Sequence, residues 1–167
     1  MNFKNRIVIV LTLITISCVS IGCGGSKNGI KKTIPMDEKI FLDESIYSVN
    51  TFKGASLSVV EDSVTNKSIS VKVIYAGKNT GLLGSWFSIE IYKYGKWYIL
   101  PYIKDNLSFD SIAYPIDESG FRIMDYNWNY MYHTLPSGQY RIITKILDFV
   151  EAGNFNEYYL AAEFNIE

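Results

Sequence analysis

Apolar side chains recur at every second position through most of the chain beyond residue 55. Leu57 and Val59 alternate with Ser56 and Ser58, and Ile69, Val71, Val73 and Tyr75 alternate with Ser70 and Lys72. Phe87, Ile89 and Ile91 fall on one side of the next segment, with Trp86, Ser88, Glu90 and Tyr92 on the other. A period of two marks strands that bury one face. Tyr94-Gly95-Lys96 then turns the chain into Trp97-Tyr98-Ile99-Leu100, a hairpin partner that Pro101 confines to an edge or an early end. A weaker strand, Ile112-Ala113-Tyr114, precedes the turn Asp117-Glu118-Ser119-Gly120, and Phe121 to Trp128 forms another. Gly77 to Gly84 reads as a loop. The last strand has the sharpest alternation, with Tyr158, Leu160, Ala162, Phe164 and Ile166 set against Tyr159, Ala161, Glu163 and Asn165. Seven or eight short antiparallel strands with no convincing helix predict an all-β fold, a sandwich rather than a barrel.

The stretch Leu135-Pro136-Ser137-Gly138-Gln139-Tyr140 is expected to organise that sandwich. Pro136 presets its φ, Gly138 offers a position that tolerates positive φ, and the strand from Tyr140 to Leu147 follows directly. Tyr140, Ile142, Thr144 and Ile146 share the predicted inner face, and Arg141, Ile143 and Lys145 the predicted solvent face. A Tyr at the start of such a strand fits a tyrosine corner, its hydroxyl bonded back to the turn near Leu135.

The first 54 residues carry no strand pattern beyond a weakly alternating piece at Ile46-Tyr47-Ser48-Val49. Lys4 and Arg6 precede an uncharged apolar run, Ile7 to Ile21, and then Gly22-Cys23-Gly24-Gly25-Ser26. A charged start, an apolar stretch and small residues describe an export signal, and fifteen residues diluted by Thr and Ser are short against the roughly 20 that span a bilayer. Val19-Ser20-Ile21-Gly22-Cys23 resembles the lipobox of bacterial lipoproteins, in which the cut falls before a Cys that takes diacylglycerol. Ser20 stands where that motif usually has Leu. Cys23 is the expected lipid-attachment residue, with Cys18 as the competing site. The organisation that follows is a signal peptide over 1–22, a flexible spacer over 23–54 and a β domain over 55–167.

Composition adds three limits. Cys18 and Cys23 are the only cysteines, so no disulfide is available within 24–167 and apolar burial must hold the domain. The net charge is −1, from 16 basic and 17 acidic residues; losing Lys4 and Arg6 with the signal makes it −3. That balance gives no footprint for nucleic acid. Aromatics form 15% of the chain, with 13 Tyr, which suits pleated, half-buried surfaces.

Candidate chemistry is thin. His133 is the only His and has no nucleophile or orienting acid in any recognised arrangement, so no catalytic residue is assigned and the chain is not expected to be an enzyme. No cofactor and no metal site is expected either. One His does not make a zinc set, and the pairs Asp37-Glu38, Asp43-Glu44 and Asp117-Glu118 lack calcium-loop spacing. Gly77-Lys78-Asn79 is not a phosphate loop. Trp86, Trp97, Trp128, Tyr92, Tyr130 and Tyr132 either plug the sandwich or form a stacking platform for a sugar.

Taken in order, Gly95-Lys96-Trp97-Tyr98, Trp128, Leu135-Pro136-Ser137-Gly138-Gln139-Tyr140-Arg141-Ile142 and Tyr159-Leu160-Ala161-Ala162-Glu163-Phe164 resemble the bacterial immunoglobulin-like domain family. The resemblance covers about residues 55–167. It implies an immunoglobulin-like β-sandwich in a secreted or lipid-anchored protein of Gram-positive bacteria, and it brings no catalytic residues. The expected function is a non-catalytic binding or structural module on the extracytoplasmic face of the cell membrane. Its expected partners are the membrane, through the lipid anchor, and an envelope protein or glycan. An extracytoplasmic proteinase inhibitor on a similar sandwich is the alternative, and it calls for a mobile, exposed loop. Gly77 to Gly84, with Lys78 inside it, is the stretch that would serve.

Overall fold

The computed structural model describes residues 42–104 and 107–167. Among these described residues, eight strands form two antiparallel sheets. β1 (Ala55–Val59), β2 (Ser68–Tyr75) and β6 (Phe121–Asn127) make one, in the order β1-β2-β6. The other runs β4-β3-β7-β8, from β3 (Thr80–Lys93), β4 (Lys96–Ile99), β7 (Gly138–Glu151) and β8 (Asn154–Ile166). β5 (Tyr114–Pro115) pairs with the early part of β3, on the edge that β4 takes further along. This is the expected sandwich, and its alternating apolar positions meet between the sheets. Ile69 and Val71 of β2 pack with Phe87, Ile89 and Ile91 of β3, Ile142 of β7 and Phe164 of β8. A second cluster at one end joins Val73, Tyr75, Leu83, Ile116, Ile146 and Leu160.

The tyrosine corner forms as predicted. Tyr140 is fully buried, its ring stacks on Phe164 with centroids 5.8 Å apart, and its hydroxyl donates to the Pro136 carbonyl at 2.8 Å. Gly138 is needed for a different reason from the one expected. Its φ is not positive; a Cβ there would lie 3.2 Å from the Tyr140 ring, so the glycine makes room for the corner. The left-handed residue of this connection is His133 (φ 60°), which follows the single helical turn α1 (Asn129–Tyr132). The sequence showed no helical period there because one turn is too short to have one. Trp128, expected at the end of a strand, lies just before α1, fully buried, with Nε1 donating to the Asn66 carbonyl at 3.1 Å.

Gly77 to Gly84 is not the loop it resembles. β3 begins at Thr80, and the turn itself spans only 76–79. Gly81 lies under the Tyr75 ring, where a Cβ would come within 2.7 Å of it. The Tyr75 hydroxyl continues to Asp148 on β7, so the turn is pinned from both sheets. The Gly-rich signal marks this close approach and the irregularity between Leu83 and Phe87. Lys78 therefore belongs to a short, exposed turn between β2 and β3 rather than to a loop running from Gly77 to Gly84.

Between β5 and β4 the edge of β3 is closed by side chains. The Ile89 N–H donates to the Tyr132 hydroxyl at 3.2 Å, and the Tyr102 hydroxyl donates to the Phe87 carbonyl at 3.2 Å. Tyrosine hydroxyls thus do part of the work that a strand would do, without any disulfide.

Two predictions follow from the buried tyrosines. Tyr140→Phe should cost about 0.5–1.5 kcal/mol, the worth of one hydrogen bond. Tyr140→Ala should cost about 3–5 kcal/mol because it also leaves a cavity; denaturant melts measure both. Second, burial pushes the Tyr140 phenol up to about 12, and burial with the Asp148 hydrogen bond does the same for Tyr75. Burial also raises Tyr126 and Tyr132. A phenol whose folded pKa lies above its unfolded value of about 10 stabilises fully below that pH and stops doing so as pH rises through the folded pKa. Stability should therefore be flat up to about pH 10 and fall between about 10 and 12, less steeply in Tyr140→Phe.

Candidate functional site

The sequence pattern writes one face of β3 and β7 as a solvent face, with Ser88 and Glu90 on β3 and Arg141 and Ile143 on β7. The structure buries all four: Glu90 and Ile143 are 0% exposed, Ser88 2% and Arg141 8%. Arg141 is thus not on a solvent face, contrary to expectation. The cover is residues 43–50, which the sequence assigned to the spacer and which cross the outside of the β4-β3-β7-β8 sheet from one edge to the other.

This strap is held at both ends by the sheet's own edges. At β4, the Ser45 N–H donates to the Trp97 carbonyl and the Ile99 N–H to the Asp43 carbonyl, both at 2.9 Å. At β8, the Asn50 N–H donates to the Tyr159 carbonyl at 2.9 Å. The Asn50 side chain satisfies both backbone groups of Ala161, accepting from its N–H at 3.0 Å and donating to its carbonyl at 3.1 Å. Strap residues alternate in exposure. Ser45, Tyr47 and Val49 are half-buried, whereas Glu44, Ile46 and Ser48 are exposed. The weak alternation at 46–49 was therefore a true strand-like signal. Covering both edges also removes two templates for unwanted pairing.

Beneath the strap, Arg141 is the hub. Its Nε and one terminal nitrogen both reach Oε2 of Glu90, each at 2.6 Å. The same terminal nitrogen donates to Ser45 Oγ at 3.0 Å, and the guanidinium lies 4.6 Å from the centre of the Trp97 ring. Both Arg contacts converge on one carboxylate oxygen. Oε1 of Glu90 is buried with no hydrogen-bond partner among the described residues. An Arg–carboxylate pair ordinarily engages both oxygens, and a buried unpaired oxygen is costly.

The six aromatics weighed from the sequence divide. Trp128 and Tyr132 are core. Trp97 packs at a tilt against Tyr92, ring centroids 5.0 Å apart, beside Arg141. Trp86 is boxed by Tyr47 of the strap (5.9 Å) and Tyr159 (6.0 Å), with Lys145 Nζ 5.1 Å from its ring. Tyr130 is exposed under Lys104. No single open platform results, because the strap lies across the face that Trp86 and Tyr92 share.

The remaining expectations fall elsewhere. Cys23, Cys18 and the pair Asp37-Glu38 lie outside the described residues. His133 is exposed and serves the turn after α1. Glu44 pairs with Lys96 at 2.8 Å in solvent, and Asp117 accepts from the Ser119 N–H at 2.9 Å in its turn. Among the described residues no three His, Cys, Asp or Glu side chains come together as a metal site.

The buried pair makes a testable claim. Arg141→Ala leaves Glu90 dry and uncompensated and should cost about 3–5 kcal/mol, against under about 0.5 for a solvent-face residue. Replacing the pair together, Glu90→Leu with Arg141→Met, should cost less than Arg141→Ala alone. Urea melts of the three proteins decide it.

No curated protein and no solved structure shows significant similarity to the chain. The family model described as bacterial Ig-like domain matches residues 51–165, which takes in both sheets and the tyrosine corner and leaves out the strap. By that match and by its two-sheet fold, the chain belongs to the bacterial Ig-like domain family.

Proposed function

We propose that this protein is a lipid-anchored module of the cell envelope. It presents its Ig-like sandwich on the extracytoplasmic side of the membrane, where it binds an envelope protein. The coarse part, a binding or structural module without catalysis, rests on family membership, since such domains are generally non-catalytic. The finer part is carried by one observation, the charged, then apolar, then Gly22-Cys23 pattern ahead of the sandwich. A diacylglycerol on Cys23 supplies the two acyl chains that stable anchoring needs. Binding to an envelope protein rather than a glycan is favoured by the covered sheet face. It offers backbone edges and a charge pair, whereas of the aromatics that would stack on a sugar Trp128 and Tyr132 are core and Trp86 is boxed, which leaves Tyr92 and Tyr130 exposed.

Membrane fractionation with lipid labelling tests the anchor. Cys23→Ala should abolish labelling and leave the chain soluble or as unprocessed precursor. Undiminished labelling of that variant would move the lipid to Cys18.

A further inference from the structure

The face under the strap has the composition of a surface made to be contacted and the burial of a core. Ser88, Glu90 and Arg141 are among the four buried polar or charged residues of the described chain, and all three lie on this one face; the fourth, Thr144, bonds to Tyr126 between the sheets. Core positions of the inner face are apolar or aromatic instead. The strap that covers the polar face fits it incompletely. Its one side-chain hydrogen bond to the pair goes from Arg141 to Ser45, and it gives Oε1 of Glu90 nothing. Besides the Arg141–Ser45 and Lys96–Glu44 contacts, it is held by Asn50 side-chain bonds to Ala161 and by backbone bonds at the two sheet edges, and the backbone bonds are ones any extended polypeptide can copy.

We infer that residues 43–50 are a displaceable strap occupying, in cis, a groove that takes an extended polypeptide of a partner protein, and that this ligand brings an uncharged hydrogen-bond donor to Oε1 of Glu90. The donor is uncharged because Arg141 already neutralises the carboxylate through Oε2, and a second cation at Oε1 would face Arg141 across the same carboxylate. An amide or hydroxyl side chain completes the pair where the strap does not. A ligand so equipped pairs the buried Oε1, which gives it an advantage over the strap at otherwise equal backbone pairing. The inference deepens the binding-module reading by naming the face and the ligand chemistry, and it does not depend on the lipid anchor.

The test uses the full chain with Cys18→Ser and Cys23→Ser, carrying Glu44→Cys and Tyr98→Cys. Residues 44 and 98 face each other across an antiparallel bridge, so oxidation pins the strap and reduction frees it. The probe is a fluorescent synthetic peptide of residues 42–52. The reduced chain should take it up, and the oxidised chain should bind it at least about tenfold more weakly. Peptides with Gln or Asn placed singly at positions 45, 47 or 49 should include one that binds about tenfold tighter than the parent. That gain should vanish in Glu90→Gln, where Arg141 takes the amide oxygen and leaves an NH₂ group facing the donor. Native-state hydrogen exchange gives an independent reading without any cysteine. The Ser45 and Asn50 amides should exchange at least about a hundredfold faster than the amides of central strand β7. Equal peptide uptake by the two redox forms would leave a binding module standing but overturn this groove. No uptake by the reduced form up to about 1 mM, or strap amides as slow as those of β7, would overturn the displaceable strap.

Discussion

Arg141 ties three parts of the molecule to one point. It bonds Glu90 on the neighbouring strand β3, Ser45 on the strap, and rests on Trp97 of β4. A guanidinium and a carboxylate removed from water repay their desolvation only while they stay close and opposed. That condition fixes the register of β3 on β7, where Glu90 is directly opposite Arg141. It also sets the strap's place, because Ser45 must come within 3.0 Å of the guanidinium. The outer face of this sheet is therefore organised by charge, whereas the inner face is organised by apolar volume.

The inner face has no covalent help. With no cysteine beyond Cys23, inter-sheet contact depends on interlocked aliphatic and aromatic side chains, and the tyrosines add polar ties at their rims. Tyr140 ties the β7 entry to its own turn, Tyr75 ties β2 to β7, and Tyr132 and Tyr102 close the open stretch of β3. Each ring adds to the apolar core while its hydroxyl satisfies a backbone or carboxylate group at the rim. This explains why a domain of this size without disulfides is so rich in Tyr.

Much of this was legible in the sequence. Inner-face residues of β2, β3, β7 and β8 were readable because period-2 alternation reports which side faces the core. The Leu135–Tyr140 corner was readable because a Pro, a small residue and a Tyr must follow at fixed spacing to close it. What could not be read was the second covering of the β3–β7 outer face. Ser88, Glu90 and Arg141 are polar, and polarity at alternate positions signals water unless something else lies on top. The cover, residues 43–50, is too polar and too short to announce itself, with only Ile46-Tyr47-Ser48-Val49 hinting at a strand. Gly77–Gly84 misled for a related reason: glycine that allows a Tyr75 ring to approach β3 looks, in one dimension, like glycine that lets a loop bend.

The central claim is that the strap keeps the Glu90–Arg141 pair dry, and a double-mutant cycle tests it most directly. The Glu90–Arg141 coupling energy would be measured twice by urea unfolding, in the native chain and in one carrying Tyr47→Ala and Asn50→Ala, which loosen the strap. Because charge coupling weakens steeply once water enters, the coupling should fall by at least about half when the strap is loosened. An unchanged coupling would mean that the sheet alone shields the pair, and would contradict the account.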